Sequence, residues 1–125
     1  MQKLAIIVLS DPRSGSEESL GRLFNALALA HEARAAGDEV NVVFAGTGTR
    51  WPGELAKISH PARALYDGVR DLVRGASCGC AAVFGATNEV EACGVSLLRE
   101  NPLPGTPGLA GIRGLVAEGF TPVIF

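Results

Sequence analysis

Leu4-Ala5-Ile6-Ile7-Val8-Leu9 carries no polar side chain, and Ser10-Asp11-Pro12-Arg13-Ser14-Gly15 then breaks the run. A continuous apolar stretch of this length, rich in β-branched residues, predicts a strand covered on both faces. From about Glu17 to Ala36 the pattern changes. Leu20, Leu23, Phe24, Leu27 and Ala30 recur at helical spacing, and Gly37 marks a stop. Glu17 and Glu18 lie in the first turn of that helix, where the positive end of its dipole favours them. Val40 to Ala45 (VNVVFA) predicts a second strand, ended by Gly46-Thr47-Gly48-Thr49, and Trp51-Pro52 opens a short irregular segment. Strand, helix and strand in this order make a parallel βαβ unit.

The rest of the chain extends this alternation. Pro61 predicts the start of a helix reaching about Arg74, capped by Ser59 or His60, with a stripe of Ala64, Leu65, Val69, Leu72 and Val73. Gly75 to Cys80 (GASCGC) has poor strand propensity, and a third strand is placed there because the alternation requires one. Asn88 and Glu91 resemble a capping box ahead of a helix carrying Val90, Cys93, Gly94, Leu97 and Leu98. After a Pro/Gly-rich connection from Asn101 to Gly105, Thr106 and Pro107 predict the start of a last helix, and Gly119 its end. Gly108, Gly111 and Gly114 would then line one face of it, where something must approach closely. Thr121 to Phe125 predicts a buried closing strand. The expected architecture is one α/β domain over residues 1–125. It has three layers, with helices on both faces of a mostly parallel sheet of four to five strands.

Composition narrows the function classes. Apolar residues make up 47% of the chain and charged residues 19%, so some apolar surface is expected to lie in a homo-oligomeric interface, whether dimer, trimer or hexamer. The formal net charge of −2 and the absence of a basic stripe argue against nucleic acid as a partner. No apolar stretch is long enough to span a bilayer, and the N-terminal run lacks the basic segment and cleavage site of a signal peptide. Three closely spaced cysteines suit a reducing compartment, so the expected location is cytoplasmic. Cys78 and Cys80 with His31 or His60 match no zinc spacing, and no metal or other cofactor is expected.

In an open parallel sheet, ligands bind outside the carboxyl ends of the strands. Those ends carry Ser10 and Asp11, Gly46 and Thr47, and Cys78 to Cys80. Cys80 is the candidate nucleophile. At a strand end just before a helix its thiolate would be favoured, and Gly79, Ala81, Ala82 and Gly85 would leave room beside it. The alternative, a buried cysteine packed as a small hydrophobe, stands equally open. In an extended strand Cys78 would face the same way, with Cα atoms about 6.6 Å apart, so a resolving role for Cys78 is a further candidate. Cys93 lies on the apolar stripe of its helix and reads as structural. Ser10, Asp11, Gly46, Thr47, Trp51 and Phe84 are the candidate walls of a ligand cleft at the same rim, although the glycine turn matches neither a P-loop nor a dinucleotide fingerprint.

Several stretches together carry a family resemblance. Gly75-Ala-Ser-Cys-Gly-Cys-Ala-Ala-Val-Phe-Gly-Ala86, Val90-Glu-Ala-Cys-Gly-Val95, Gly114-Leu-Val-Ala-Glu-Gly-Phe120 and the closing Val-Ile-Phe are similar to DsrE/DsrF-like proteins of the YchN-like fold. So is the opening strand with its Ser-Asp-Pro turn and alanine-rich helix. The resemblance implies a sulfur-relay or sulfurtransferase-type activity in which Cys80 accepts a persulfide. It also implies a donor or acceptor protein for that sulfur. The second cysteine, Cys78, and the lack of a basic patch depart from the family's simple pattern.

Overall fold

The computed structural model describes residues 1–125 and holds five strands and six α-helices. The strands are β1 (Lys3–Val8), β2 (Glu39–Phe44), β3 (Val73–Ser77), β4 (Leu97–Leu98) and β5 (Thr121–Ile124). The helices are α1 (Glu17–Ala35), α2 (Trp51–Leu55), α3 (Arg63–Val69), α4 (Cys78–Val83), α5 (Thr87–Ala92) and α6 (Ile112–Ala117). Short 3₁₀ turns at Gly46–Arg50 and Arg70–Leu72 link them. All five strands are parallel, in the order β4-β3-β2-β1-β5.

Handedness explains the two covered faces. The steps from β1 through β4 march in one direction, so their right-handed crossovers stack on one face. The return to β5 runs the other way, and α6 therefore covers the opposite face. The first face holds the larger core, in which Ile6, Val8, Val42 and Phe44 meet Leu23, Leu27, Trp51, Leu55 and Val69. Each such side chain contributes about 1.5–3 kcal/mol by leaving water. The second face is thinner: Ala5, Ile7 and Val43 pack on Ala110, Leu115 and Phe120. Ser16 caps α1 by accepting from the Glu18 N–H at 3.1 Å, and Gly37 closes that helix at φ +84°.

Five expectations about the second half need correction. The third helix leaves its course early, and β3 spans Val73–Ser77 instead of Gly75–Cys80. Gly75 lies inside this strand because Ser96, just before β4, passes close, and an added Cβ would sit 2.5 Å from its carbonyl oxygen. Asn88 is not a cap: Ala86 precedes α5, with no side-chain cap bond. That helix does not reach Leu98. Gly94, at φ +72°, takes the left-handed turn that ends it, with the Gly94 N–H donating to Glu91 and the Val95 N–H to Val90. Leu97 and Leu98 are thereby released to form β4.

The last helix begins only at Ile112, so Gly108, Gly111 and Gly114 share no helical face. Two of these glycines instead permit close passage beside Arg99 and Glu100. An added Cβ at Gly108 would lie 2.9 Å from the Arg99 carbonyl oxygen, and one at Gly111 would lie 2.9 Å from Glu100 Cβ. The closing strand is an edge, not a buried strand, and Ile124 is 58% exposed. Phe125 turns both its backbone groups to β1, bonding Ile7 and Leu9 at 2.9 and 2.8 Å. Backbone alternation then aims Pro122 and Ile124 at the free edge, where Pro122 has no N–H to offer. The short segment opened by Trp51 is helical, as α2.

Candidate functional site

The carboxyl end of β1 is held by a knot of polar contacts from the turn after β2. Arg50 Nη1 donates to both carboxylate oxygens of Asp11, at 3.1 and 3.0 Å. Its Nε donates to the Phe84 carbonyl at 3.3 Å, and its guanidinium lies 5.6 Å from the centre of the Phe84 ring. Thr47 Oγ1 donates to the Leu9 carbonyl at 3.0 Å, and Trp51 Nε1 donates to the Ser10 carbonyl at 2.8 Å. Gly46 opens this turn at φ +55°. The structure thus gathers Ser10, Asp11, Gly46, Thr47, Trp51 and Phe84 around one residue that sequence reasoning missed, Arg50. A signal existed, because Arg50 is the sole basic residue between Arg34 and Lys57 and directly follows the glycine turn.

Trp51 needs a different role from the one expected. It is only 2% exposed and packs in the main core, so it braces the rim from below and does not face a ligand. Partial burial pushes the Asp11 carboxyl upward. The Arg13 backbone N–H and the Arg50 guanidinium outweigh that effect and hold it below its ordinary value of 3.8. Asp11 is therefore a carboxylate at neutral pH and already engaged, which suits a structural anion better than a proton acceptor.

The three cysteines are free thiols in three different settings. Cys78 and Cys80 occupy the first turn of α4 rather than a strand. Two residues on a helix are separated by about 200° of rotation, so the shared face expected of a strand does not exist. Cys78 is buried with Ala81, while Cys80 is half-exposed on the side that continues to Val83 and Phe84. A Cys78–Cys80 disulfide would require this turn to unwind. Nor is Gly79 an open space: an added Cβ would meet Leu109 Cδ1 at 2.6 Å. The Gly79 N–H donates to the Gly108 carbonyl at 2.8 Å, and the buried Ser77 hydroxyl accepts from the Ala110 N–H at 3.0 Å. The outward side, at Ala82 and Gly85, is the open one. Cys93 lies one residue beyond α5, half-buried, with its thiol 3.5 Å from the Pro52 carbonyl.

The chain leaves β1 on one face and reaches β5 from the other, which makes their carboxyl ends a topological switch point. A cleft of about 340 Å³ opens there. Leu9, Ser10, Asp11, Ser14, Ser19 and Arg22 line it, with Ile124 and Phe125 on the far wall. No group of three or more His, Cys, Asp or Glu residues is placed to hold a metal ion. No helix is long and apolar enough to cross a membrane. No family model matches the chain, and no curated protein or solved structure matches it either.

Proposed function

We propose that the protein is a small sulfur carrier of the DsrE/DsrF-like kind, with Cys80 as the sulfur-accepting thiol. One observation carries this reading: Cys80 is a free, partly exposed cysteine in the first turn of α4, just beyond the carboxyl end of β3, whereas its neighbour Cys78 is buried. In the proposed step the Cys80 thiolate attacks the outer sulfur of a persulfide donor. A new S–S bond forms on Cys80, the donor's S–S bond breaks, and the donor leaves as a thiolate. Because Cys78 points elsewhere, release of the sulfur falls to an acceptor thiol on a partner protein. The reading includes a reducing, cytoplasmic setting, where such thiols persist, and self-association into a dimer, trimer or hexamer. Exposed Val83, Val116 and Ile124 supply apolar surface for contacts of that kind.

The test is direct. Reduced protein is incubated with a sulfane-sulfur donor, and intact mass is read for the native chain and for Cys78→Ser, Cys80→Ser and Cys93→Ser. Gain of one sulfur atom, abolished only in Cys80→Ser, supports the carrier. No gain in the native chain overturns it.

A second reading has its own supporting observation. The switch-point cleft, rich in serine hydroxyls and closed by Phe125, suits a homo-oligomer that binds a small polar ligand without catalysis. Ligand binding that survives Cys80→Ser would favour it.

A further inference from the structure

A second cleft, of about 260 Å³, lies between α2, α3 and the end of α5, away from the rim that carries Cys80. Its wall joins Cys93 to Tyr66, Arg63, Asp67 and Arg70, with Pro52 and Leu55 supplying apolar surface. The Cys93 thiol is held at the wall by its contact with the Pro52 carbonyl, at 3.5 Å. Two guanidiniums share a single carboxylate: Arg63 Nε is 3.0 Å and Arg70 Nη1 3.5 Å from Asp67. The cleft therefore keeps an excess positive charge.

Tyr66 points to a ligand independently of the thiol. The residue is only 6% exposed, yet its hydroxyl bonds no group of the protein. No fully shielded side-chain oxygen in the molecule lacks a partner, so this hydroxyl is reached by solvent, and Tyr66 is part of the cleft wall. Burial raises its pKa above 10.0, against the opposing influence of Arg70, so it remains a proton donor at neutral pH. A donor with no partner in the protein, on a wall beside an excess of positive charge, is matched by an anionic oxygen.

We propose that this cleft admits a low-molecular-weight anionic disulfide and that Cys93 exchanges with it to form a mixed disulfide. The Cys93 thiol loses its proton to solvent, and its sulfur attacks one sulfur of the disulfide. One S–S bond forms as the other breaks, and the electron pair leaves with the departing thiolate. The retained half lies in the cleft, its carboxylate against Arg70 and the Tyr66 hydroxyl. The disulfide itself is the oxidant. This site is independent of the sulfur-carrier reading of Cys80.

The experiment compares two small disulfides of opposite charge, dithiodiglycolic acid and cystamine, on the full reduced chain. Peptide mapping follows modification at Cys93, and each rate is divided by that of the same reagent with a free-cysteine peptide. The normalised rate should favour the anionic reagent by about tenfold or more at low salt and lose that preference as salt rises. Arg70→Gln, a change at an exposed side chain, should collapse the preference. Tyr66→Phe, which keeps the edge-on ring contact with Phe44, should slow the anionic reagent by about two- to tenfold. Equal normalised rates, a preference unchanged in Arg70→Gln, or no modification of Cys93 would each overturn the proposal. Modification confined to Cys80 would overturn it while leaving the carrier reading intact.

Discussion

Arg50 and Asp11 form an ion pair in which one guanidinium nitrogen reaches both carboxylate oxygens, at 3.1 and 3.0 Å, and so ties the turn after β2 to the end of β1. The pair is only partly exposed, with 18% of the Arg50 and 27% of the Asp11 side chain open to solvent. Removing the cation leaves Asp11 with only its bond from the Arg13 N–H and the Phe84 carbonyl without its partner. Arg50→Met should therefore cost about 1–2 kcal/mol, read as a lower urea midpoint with unchanged slope.

The same pair sets an acid limb. Asp11 has its carboxyl held below 3.8 in the folded state, so its contribution is complete above that value and fades as pH falls through the folded one. Stability should decline on that side, and Arg50→Met should flatten the decline. Urea titrations of both proteins across the acid range check this, and an unchanged limb in Arg50→Met would sink it. Trp51, the chain's only tryptophan and 2% exposed, serves as the fluorescent reporter.

Gly48→Ala should be the more damaging change in that turn. Its added Cβ would be driven into the Val8 carbonyl, with the Leu9 Cα at 3.3 Å, and backbone atoms cannot rotate away. A loss of about 1–3 kcal/mol or more is expected, visible as a drop in melting temperature. Gly68→Ala meets nothing within 4 Å and is the matched control.

Ser77→Ala tests the seam that closes the thinner face. It removes the acceptor for the buried Ala110 N–H, a bond of 3.0 Å, and should cost about 1–3 kcal/mol. Hydrogen exchange should quicken at Ala110, ahead of any change in β1 or β2.

Alkylation of the folded protein should separate the three thiols. Cys80 and Cys93, both half-exposed, should react well before Cys78, whose residue is 5% exposed. Equal reaction at all three would mean that α4 opens readily, and the distinction between the paired cysteines would fail.

The first half of the chain was readable because each of its signals is local. An apolar run, a helical stripe and Gly37 identify β1, α1 and β2 within a residue or two of their ends. Beyond Leu72 the decisive contacts are distant in sequence. In β3, Gly75 has no room for a Cβ because Ser96 passes beside it, and no local pattern announces that. Leu97 and Leu98 continue the helical spacing from Val90 and look helical until Gly94 is given its left-handed turn. The paired cysteines were misplaced by the same slip, since moving β3 toward the N-terminus moves them from a strand into a helix. At the rim, the strand-end rule located the right neighbourhood. Arg50, which holds it together, went unnoticed because an isolated arginine carries no motif.

Pro122 has a consequence for life at high concentration. One border of the sheet is β5, where this proline withholds a donor, and the other is β4, two residues long. Neither border offers a full row of backbone partners, so a neighbouring copy gains little by adding its own strand. Crowded copies of this chain are thereby steered away from ribbon-like growth. Any assembly they form is left to the packing of side chains and not to backbone pairing at the sheet's borders.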